Sequence, residues 1–339
     1  MRQRHRADVR YFGSKTSTLP KLGTLVTSRV PAGTFCDPFG GIGSVGSSFK
    51  AKGFEVHTGD LLWFAHCFQT ARIVLNRRPT PSSAMRDALG ISTAEEMFSL
   101  LRDAGPVRSW VHREFSVRRQ YFTATNAMAI DGARREIERW HRQGLTTEAT
   151  DLYLRACLID AADRVANTAG TYYAHLKHWT PKALKQFELR PIQPVTGPSG
   201  CKAYVADVAD LVGSRHFDVL YLDPPYNARD YAGYYHLPET IATGRRPRAR
   251  GVSGIDAAPR PISAFTRPRL AETAMEELIE LASCRLMVVH YSDEGLIPPG
   301  RLRSLLKSYG SIEEHVIEAL GYGTSQQRLV RHRIYLVEP

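Results

Sequence analysis

One short stretch restricts the fold of this chain more than any other. Residues 217–222 read FDVLYL, and Asp223-Pro224-Pro225-Tyr226 follows this apolar run directly. The run predicts a buried parallel strand, and the two prolines end it in a stiff turn. Ligands of open α/β sheets bind where such strands end, so the sequence predicts a binding site at this turn.

The turn offers the groups that would hold an exocyclic amine. A carboxylate, carbonyl oxygens and an aromatic ring lie within four residues, and the prolines contribute no N–H donor. Two acceptors can take the two hydrogens of an amine, while the ring can stack on the base that carries it. The same four residues also suit an ordinary proline-rich turn, so the motif alone does not fix the function.

A second segment, residues 33–46, runs from a short strand through a glycine-rich turn into a helix of small residues. Such a turn lets a ligand approach the backbone and is typical of nucleotide-binding folds. Asp60 ends the next strand, where a carboxylate commonly holds ribose hydroxyls. Asp37 and Pro38 stand where a pyrophosphate needs bare N–H groups, so Asp37 suits a cationic amino-acid group better than a phosphate.

Together these segments resemble the D12 class of adenine-N6 DNA methyltransferases, the family of the Dam methylase. The similar motifs are DPFGGIGSVG at residues 37–46 and DPPY at residues 223–226. Residues 10–15 resemble the family's N-terminal motif, and residues 227–241 resemble the stretch that follows DPPY in many members. The order of the motifs is that of the family's α group.

The resemblance implies an α/β fold: a Rossmann-like, seven-stranded methyltransferase sheet, mostly parallel with one antiparallel strand, and a largely helical inserted target-recognition region. It implies transfer of a methyl group from S-adenosyl-L-methionine to N6 of an adenine flipped out of double-stranded DNA, without a metal. The implied catalytic residues are Asp223, Pro224, Pro225 and Tyr226. The implied cofactor-binding residues are Tyr11, Lys15, Asp37, Pro38, Phe39, Gly41, Gly43, Ser44, Asp60 and Asp207.

The chain divides into three regions. Residues 1–61 and 201–339 are expected to form the N-terminal and C-terminal parts of the catalytic domain. Residues 62–200 show helical patterns and no strand alternation of note, so this insert is expected to recognise the DNA target. The strands expected after the insert are 203–206, 217–222, 286–290 and 334–337. The helices expected within it are 130–140, with Arg134, Arg135 and Arg139 facing solvent, and 147–166.

Two segments are candidates for DNA contact. In the insert, residues 164–173 resemble an element of the family's DNA-binding part, and Asn167 can equally be the cap of the helix before it. The candidate residues there are Asn167, Thr171, Tyr172 and Lys177. The Arg-rich loop, residues 243–268, is interleaved with proline and glycine, and its alternative interpretation is a flexible surface loop. Arg245, Arg246, Arg248 and Arg250 are expected to hold phosphates without choosing a sequence, because the segment has reach but no fixed geometry.

Composition agrees with a polyanionic partner, since the formal net charge is +11. The five cysteines show no metal-ligand spacing and are expected to be reduced, mostly buried thiols. No apolar run is long enough to cross a membrane, and the charged first ten residues lack the apolar core of a signal peptide. A cytoplasmic monomer of a prokaryotic cell or phage is expected.

Several functions stay open at this point. Cytosine N4 in DNA and adenine N6 in RNA are amines that the same chemistry would serve. A DNA-binding module with an inactive site is a different class, although the presence of Asp37, Asp60 and Asp223 argues against it. A cognate restriction endonuclease and a role in restriction–modification or in phage–host defence are further expectations.

Overall fold

The structure is a computed structural model that describes residues 18–320 and 329–339. Its strands are β1 (Thr34–Asp37), β2 (Glu55–Asp60), β3 (Lys202–Val205), β4 (Phe217–Leu222), β5 (Ala249–Arg250), β6 (Ile255–Asp256), β7 (Cys284–Ser292), β8 (Ser311–Leu320) and β9 (Leu329–Glu338). Its helices are α1 (Leu19–Thr27), α2 (Ser44–Lys50), α3 (Trp63–Gln69), α4 (Ser83–Leu89), α5 (Ala94–Arg102), α6 (Trp110–His112), α7 (Ala124–Arg142), α8 (Glu148–Asp163), α9 (Val208–Val212), α10 (Tyr231–Tyr234), α11 (His236–Thr243), α12 (Ala271–Leu281) and α13 (Pro299–Tyr309).

The described residues form two compact units. The helical unit contains residues 70–194 and 231–260, and the sheet unit contains the remaining described residues. The predicted insert, 62–200, therefore begins and ends within a few residues of the first segment of the helical unit. Residues 231–260, which the sequence analysis placed in the C-terminal part of the catalytic domain, belong to the helical unit instead.

The sheet unit is built on seven strands in the order β3-β2-β1-β4-β7-β9-β8. β9 is antiparallel to both of its neighbours, and every other pairing in this sheet is parallel. The predicted fold class, a mostly parallel Rossmann-like sheet with one antiparallel strand, is confirmed. Because β1, β2 and β4 are adjacent parallel strands, their carboxyl ends lie at one edge of the sheet.

Burial explains why the central strands form where they do. β4 has five buried residues out of six, as expected for a central strand covered on both faces. Asp218 is the half-buried exception, and its carboxylate accepts hydrogen bonds of 2.8 Å from the N–H and the hydroxyl of Thr34. Side chains of β4, β7, α12 and α13 pack into one apolar core, which includes Leu222, Met275 and Leu302.

Sequence reasoning missed one strand of the seven-stranded sheet, β8, and the two short strands β5 and β6. β8 lies at the edge of the sheet and pairs only with β9. Its residues 311–318 are exposed or half-buried rather than buried, and glutamates occupy several positions, so no apolar run marks it. Edge strands commonly carry charge in this way because it discourages pairing with other chains.

The helical unit obtains its helices from side-chain caps and buried faces. Thr93 and Glu96 form a reciprocal capping box at the start of α5, and Thr147 caps α8 by accepting from the Thr150 N–H. The prediction that Arg134 faces solvent is wrong. Its side chain is buried over the ring of Trp110, at 5.4 Å from the ring centroid, because α7 packs against α6 on that side.

All five cysteines are buried and none forms a disulfide. No helix within the described residues is long and apolar enough to span a membrane.

Candidate functional site

The glycine-rich turn links β1 to α2 in a fixed shape. Gly41 and Gly43 adopt positive φ angles of 50° and 79°, which other residues rarely adopt. The Gln69 side-chain amide, at the end of α3, donates to the Gly41 carbonyl at 2.9 Å. Asp60, at the end of β2, accepts from the Gly41 N–H at 3.1 Å. The turn is therefore held from two neighbouring elements before any ligand binds.

Asp37 ends β1 and is almost fully buried. Its carboxylate accepts hydrogen bonds from the backbone of Phe39 and Gly46, but its Oδ1 atom finds no hydrogen-bond partner among the described residues. Burial, and then the charges of Asp223 and Asp60, raise the pKa of Asp37 well above its ordinary value. The site thus holds a buried carboxylate whose strongest charged neighbours are also carboxylates.

Asp60 is half-buried beside the turn. Its second oxygen, Oδ1, accepts from the Leu62 N–H at 3.0 Å. Burial raises the pKa of Asp60 to about 6, although hydrogen bonds from Leu62, Gly41 and Leu61 oppose the shift. Near neutral pH this carboxylate is therefore mostly ionised and can still accept hydrogen bonds through its remaining lone pairs.

The DPPY turn leaves the sheet directly after β4. Asp223, Pro225 and Tyr226 are half-buried, and Pro224 is buried. The Tyr226 carbonyl accepts from the Leu296 N–H at 2.9 Å, which fixes the end of the turn. The predicted catalytic residues are thus exposed in part at the edge where Asp37 and Asp60 also lie.

Two rings lie beside the ring of Tyr226. The ring centroid of His332, from β9, is 6.0 Å away at an interplanar angle of 88°. The ring centroid of Tyr291, from β7, is 6.4 Å away at 78°. Such edge-to-face arrangements are favourable for aromatic rings. They orient Tyr226 from the two strands that follow β4 in the sheet.

A buried pair lies behind this ring cluster. The hydroxyl of Tyr221 and Nδ1 of His290 are 3.1 Å apart, and the rings of His290 and His332 are 5.5 Å apart. Burial, followed by the charges of Asp223 and Asp37, raises the pKa of Tyr221 well above its ordinary value. Both carboxylates therefore lie near Tyr221 and place negative charge at this end of the sheet.

The other predicted cofactor residues are distributed around this edge. Pro38 is buried, Ser44 begins α2, and the ring of Phe39 packs edge-on against that of Phe265 at 5.1 Å. Asp207 is exposed just beyond β3, where its side chain accepts from the Ala209 N–H and caps α9. Contact of any of these residues with a cofactor stays a prediction. Tyr11 and Lys15 lie outside the described residues.

Asn167, a predicted base-reading residue, has no accessible surface. Its side-chain amide donates to the carbonyls of Gln120, Leu176 and His178, and its Oδ1 accepts from the N–H and the hydroxyl of Thr180. The prediction of base contact is wrong for this structure because every side-chain hydrogen-bonding position is used internally. The alternative of a helix cap is also wrong, since the C-cap of α8 is Arg164.

The neighbouring candidates divide by exposure. Tyr172 is buried, and its hydroxyl donates to Asp163 at 3.0 Å, so its predicted contact with DNA is wrong as well. Thr171 is half-buried, and Lys177 is exposed. Of this group, Thr171 and Lys177 remain available to a ligand.

The Arg-rich loop has a more definite structure than its composition predicts. Arg246 pairs with Glu138 at 3.1 Å and Arg245 with Asp256 at 3.6 Å. Backbone carbonyls of the loop accept hydrogen bonds from buried donors of the helical unit, among them Arg134 to Arg245 and Trp110 to Pro247. The expectation of a segment without fixed geometry is wrong over residues 245–256, because tertiary contacts supply what its sequence lacks.

Sequence reasoning missed several residues that shape these regions. Gln69 ends the largely apolar helix α3. A single amide in this apolar segment was the only sequence feature that could have indicated its hydrogen bond to the glycine-rich turn. His332 and Tyr291 reach Tyr226 from strands far along the chain, so no local pattern could have found them. Arg118, which together with Arg113 surrounds the buried Glu114, had no signal beyond the basic composition.

The sheet order, with carboxylates at the carboxyl ends of β1, β2 and β4, is typical of the nucleotide-binding class of α/β proteins. Comparison with known proteins makes this specific. The chain belongs to the family of D12 class N6 adenine-specific DNA methyltransferases, which matches residues 11–305.

Individual relatives agree with the family. The chain is 34% identical over 325 residues to the type II methyltransferase M.FokI of Planomicrobium okeanokoites, covering 93% of this chain and 49% of that protein. It is 31% identical to the modification methylase StsI of Streptococcus sanguinis, covering 89% and 46%. It is 31% identical to the type II methyltransferase M.NlaIII of Neisseria lactamica, covering 89% of both chains. The chain thus spans about half the length of two of these relatives and most of the third.

Proposed function

We propose that this chain is a site-specific DNA methyltransferase that transfers a methyl group from S-adenosyl-L-methionine to N6 of adenine in double-stranded DNA. One observation carries the proposal. In a chain of the D12 family, Asp37, Asp60 and Asp223 end three adjacent parallel strands, next to an aromatic ring, and Asp37 has an unpartnered buried oxygen.

The donor set fits S-adenosylmethionine. The unpartnered Oδ1 of Asp37 and the excess of negative charge around it suit the ammonium group and the sulfonium charge of this cofactor. Asp60 is placed to accept from ribose hydroxyls while it also holds the turn at Gly41. When bound, S-adenosylmethionine supplies an electrophilic methyl group. Gly43 and Ser44, at the start of α2, let the ligand approach the backbone.

The residues of the DPPY turn act on the target base. Tyr226 stacks on the flipped adenine, and the Asp223 carboxylate and the Pro224 carbonyl accept the two N6 hydrogens. These hydrogen bonds direct the nitrogen lone pair out of conjugation with the ring. They also stabilise the positive charge that develops on nitrogen during attack. Positioning and electrostatic stabilisation therefore carry the catalysis, with no covalent intermediate on the protein.

We further propose that the helical unit contacts the DNA and that the chain acts in restriction–modification beside an endonuclease with the same site. The net charge of +11 supports binding of a polyanion. The names of M.FokI and M.NlaIII, both type II methyltransferases, support the biological context.

Expression in a host that lacks DNA methylation tests the proposal. Genome-wide modification sequencing should find N6-methyladenine at one recurring sequence motif. Methylcytosine at N4, or methylation confined to RNA, would replace the proposed substrate by one of the alternatives. A complete absence of methylation together with S-adenosylmethionine binding would overturn the proposed activity.

A further inference from the structure

We propose that the hairpin β5–β6, residues 249–256, determines which DNA sequence is methylated by entering a groove of the duplex with Arg250 and Val252 against base edges. This inference rests on the proposed function and concerns the helical unit alone. It reverses the expectation that the Arg-rich loop supplies affinity without sequence choice.

Hydrogen bonds from buried side chains of the helical unit fix the backbone of the hairpin. Arg119, which is buried, donates to the Gly251 carbonyl at 2.9 Å and to the Ala249 carbonyl at 3.3 Å. The hydroxyl of the fully buried Tyr121 donates to the Ser253 carbonyl at 2.9 Å. These bonds fix both sides of the tip, which is the geometry that base readout requires and that a flexible linker lacks.

Glycine geometry fixes the tip further. Gly251 and Gly254 have φ angles of 64° and 76°. A Cβ atom on Gly254 would lie 2.9 Å from side-chain atoms of both Arg119 and Phe115, so the hairpin packs closely on this part of the helical unit. A turn held in this way presents the same side chains in every molecule.

Three side chains at the hairpin and just before it are exposed: Arg248, Arg250 and Val252. Val252 is 76% exposed, which makes it the most exposed large apolar side chain of the described residues. Arg248 and Arg250 are exposed, the intervening Ala249 is half-buried, and neither arginine forms an ion pair with a described residue. The hairpin therefore carries one exposed cation, Arg250, and one exposed apolar side chain, Val252, and Arg248 adds a second exposed cation just before it.

The surface beside the hairpin is basic. Arg113 and Arg118 are 57% and 60% exposed and share one buried carboxylate, Glu114, with Arg119. Three arginines on one glutamate leave an excess of two positive charges next to the segment that holds the hairpin. This excess suits the phosphates that flank a DNA groove.

The dimensions and chemistry fit duplex DNA. The major groove of B-form DNA admits a two-stranded ribbon. An arginine there pairs with the O6 and N7 atoms of guanine, and an apolar side chain contacts the methyl group of thymine. Arg250 and Val252 supply one group of each kind at the tip.

The test compares Arg250→Gln and Val252→Ser with the control Arg102→Gln, which removes one charge from an exposed arginine that pairs with Glu95 on α5. Each protein is expressed in the methylation-free host and its modified motif is sequenced. The ratio of kcat/KM between cognate duplexes and duplexes with one altered base pair is then measured. We expect Arg250→Gln to lower this ratio about 5- to 150-fold at one base pair and Val252→Ser to relax the motif at another.

The control should keep the wild-type motif and ratio, and S-adenosylmethionine binding should be unchanged in all variants. An unchanged motif with equal loss of affinity on cognate and random duplexes would make the hairpin a phosphate contact only and overturn the inference. Unchanged motif and unchanged DNA kinetics in both variants would also overturn it and leave the surface to a protein partner. Failure of the wild-type chain to methylate any DNA would instead contradict the proposed function.

Discussion

The two units treat buried carboxylates in opposite ways. In the helical unit, burial opposes ionisation of Glu114, but hydrogen bonds from Arg113 and Arg118 outweigh it and lower its pKa. In the sheet unit, burial and two further carboxylates raise the pKa of Asp37. Glu114 forms ion pairs with arginines of the same unit. The strongest charged neighbours of Asp37 are carboxylates instead.

The difference separates structural charge from functional charge. A matched buried charge holds segments together and needs nothing more. A buried carboxylate with an unpartnered oxygen and like-charged neighbours destabilises the empty fold, and such groups persist where a ligand completes them. The contrast therefore supports the proposed ligand binding at Asp37, and a structural role for Glu114 and Asn167.

The largest expected effect concerns Asp223, which belongs to the sheet unit. Asp223→Ala removes a charged acceptor that acts on the developing positive charge, so we expect kcat to fall at least about 100-fold, or roughly 3 kcal/mol. Binding of S-adenosylmethionine, measured by calorimetry, should stay within a few-fold because the proposed mechanism has Asp223 contact the base and not the cofactor. Near-normal turnover in this variant would contradict the mechanism.

In the helical unit, we expect the substitution of Asn167 to lower stability instead of activity. Asn167→Ala leaves the carbonyls of Gln120, Leu176 and His178 without their donor, so we expect a destabilisation of about 3 kcal/mol. Hydrogen exchange should rise in α8 and in residues 176–180. Lys177→Ala, which changes an exposed neighbour, is the control and should alter stability by less than about 0.5 kcal/mol. A stable Asn167→Ala protein with a changed methylation motif would restore Asn167 as a base-reading residue.

The carboxylates of the sheet unit and Asn167 of the helical unit differ in how well the sequence predicts their positions. Asp37, Asp60 and Asp223 were identified correctly as strand-ending carboxylates, because an apolar run and a glycine or proline turn are local signals. Asn167 was misread because its partners lie up to 47 residues away in the chain, and only the fold shows that its amide is used internally. The seven-stranded, mostly parallel sheet with one antiparallel strand followed from the family resemblance, whereas β8 was missed because its glutamates leave no apolar run.

A smaller effect is expected at Asp60. Asp60→Ala should raise KM for S-adenosylmethionine about 10- to 100-fold with little change in kcat, because a ribose contact is equally strong in the ground and transition states. An unchanged KM would remove Asp60 from the cofactor site.

The pKa of Asp60 adds a pH dependence. With a folded-state pKa of about 6 and an ordinary value near 3.8, its contribution to the stability of the ligand-free protein is complete below about pH 4. It is lost as the pH rises through 6. Cofactor affinity should follow the opposite course and weaken as the pH falls below 6, since a protonated carboxyl is a poorer acceptor. Calorimetry from pH 5 to 8 should show this trend in the wild type and a flatter one in Asp60→Ala.

The smallest effect tests the rings beside Tyr226. His332→Ala removes one edge contact, so we expect kcat to fall about 2- to 10-fold, whereas His332→Phe should keep most of the activity. The stacking of 2-aminopurine placed at the target base, read by its fluorescence, should change in His332→Ala only. A merely structural role would lower thermal stability without changing that signal.

The position of β9 has a consequence for folding during synthesis. β9 is made after β8, yet it lies between β7 and β8 in the sheet. On the ribosome, β8 therefore has no partner in this sheet until β9 has emerged. The ring contact between His332 and Tyr226 also requires β9, since His332 belongs to that strand. The support of the proposed base-stacking ring is thus among the last parts of the molecule to be assembled, so a nascent chain stalled before β9 would carry the DPPY turn without it.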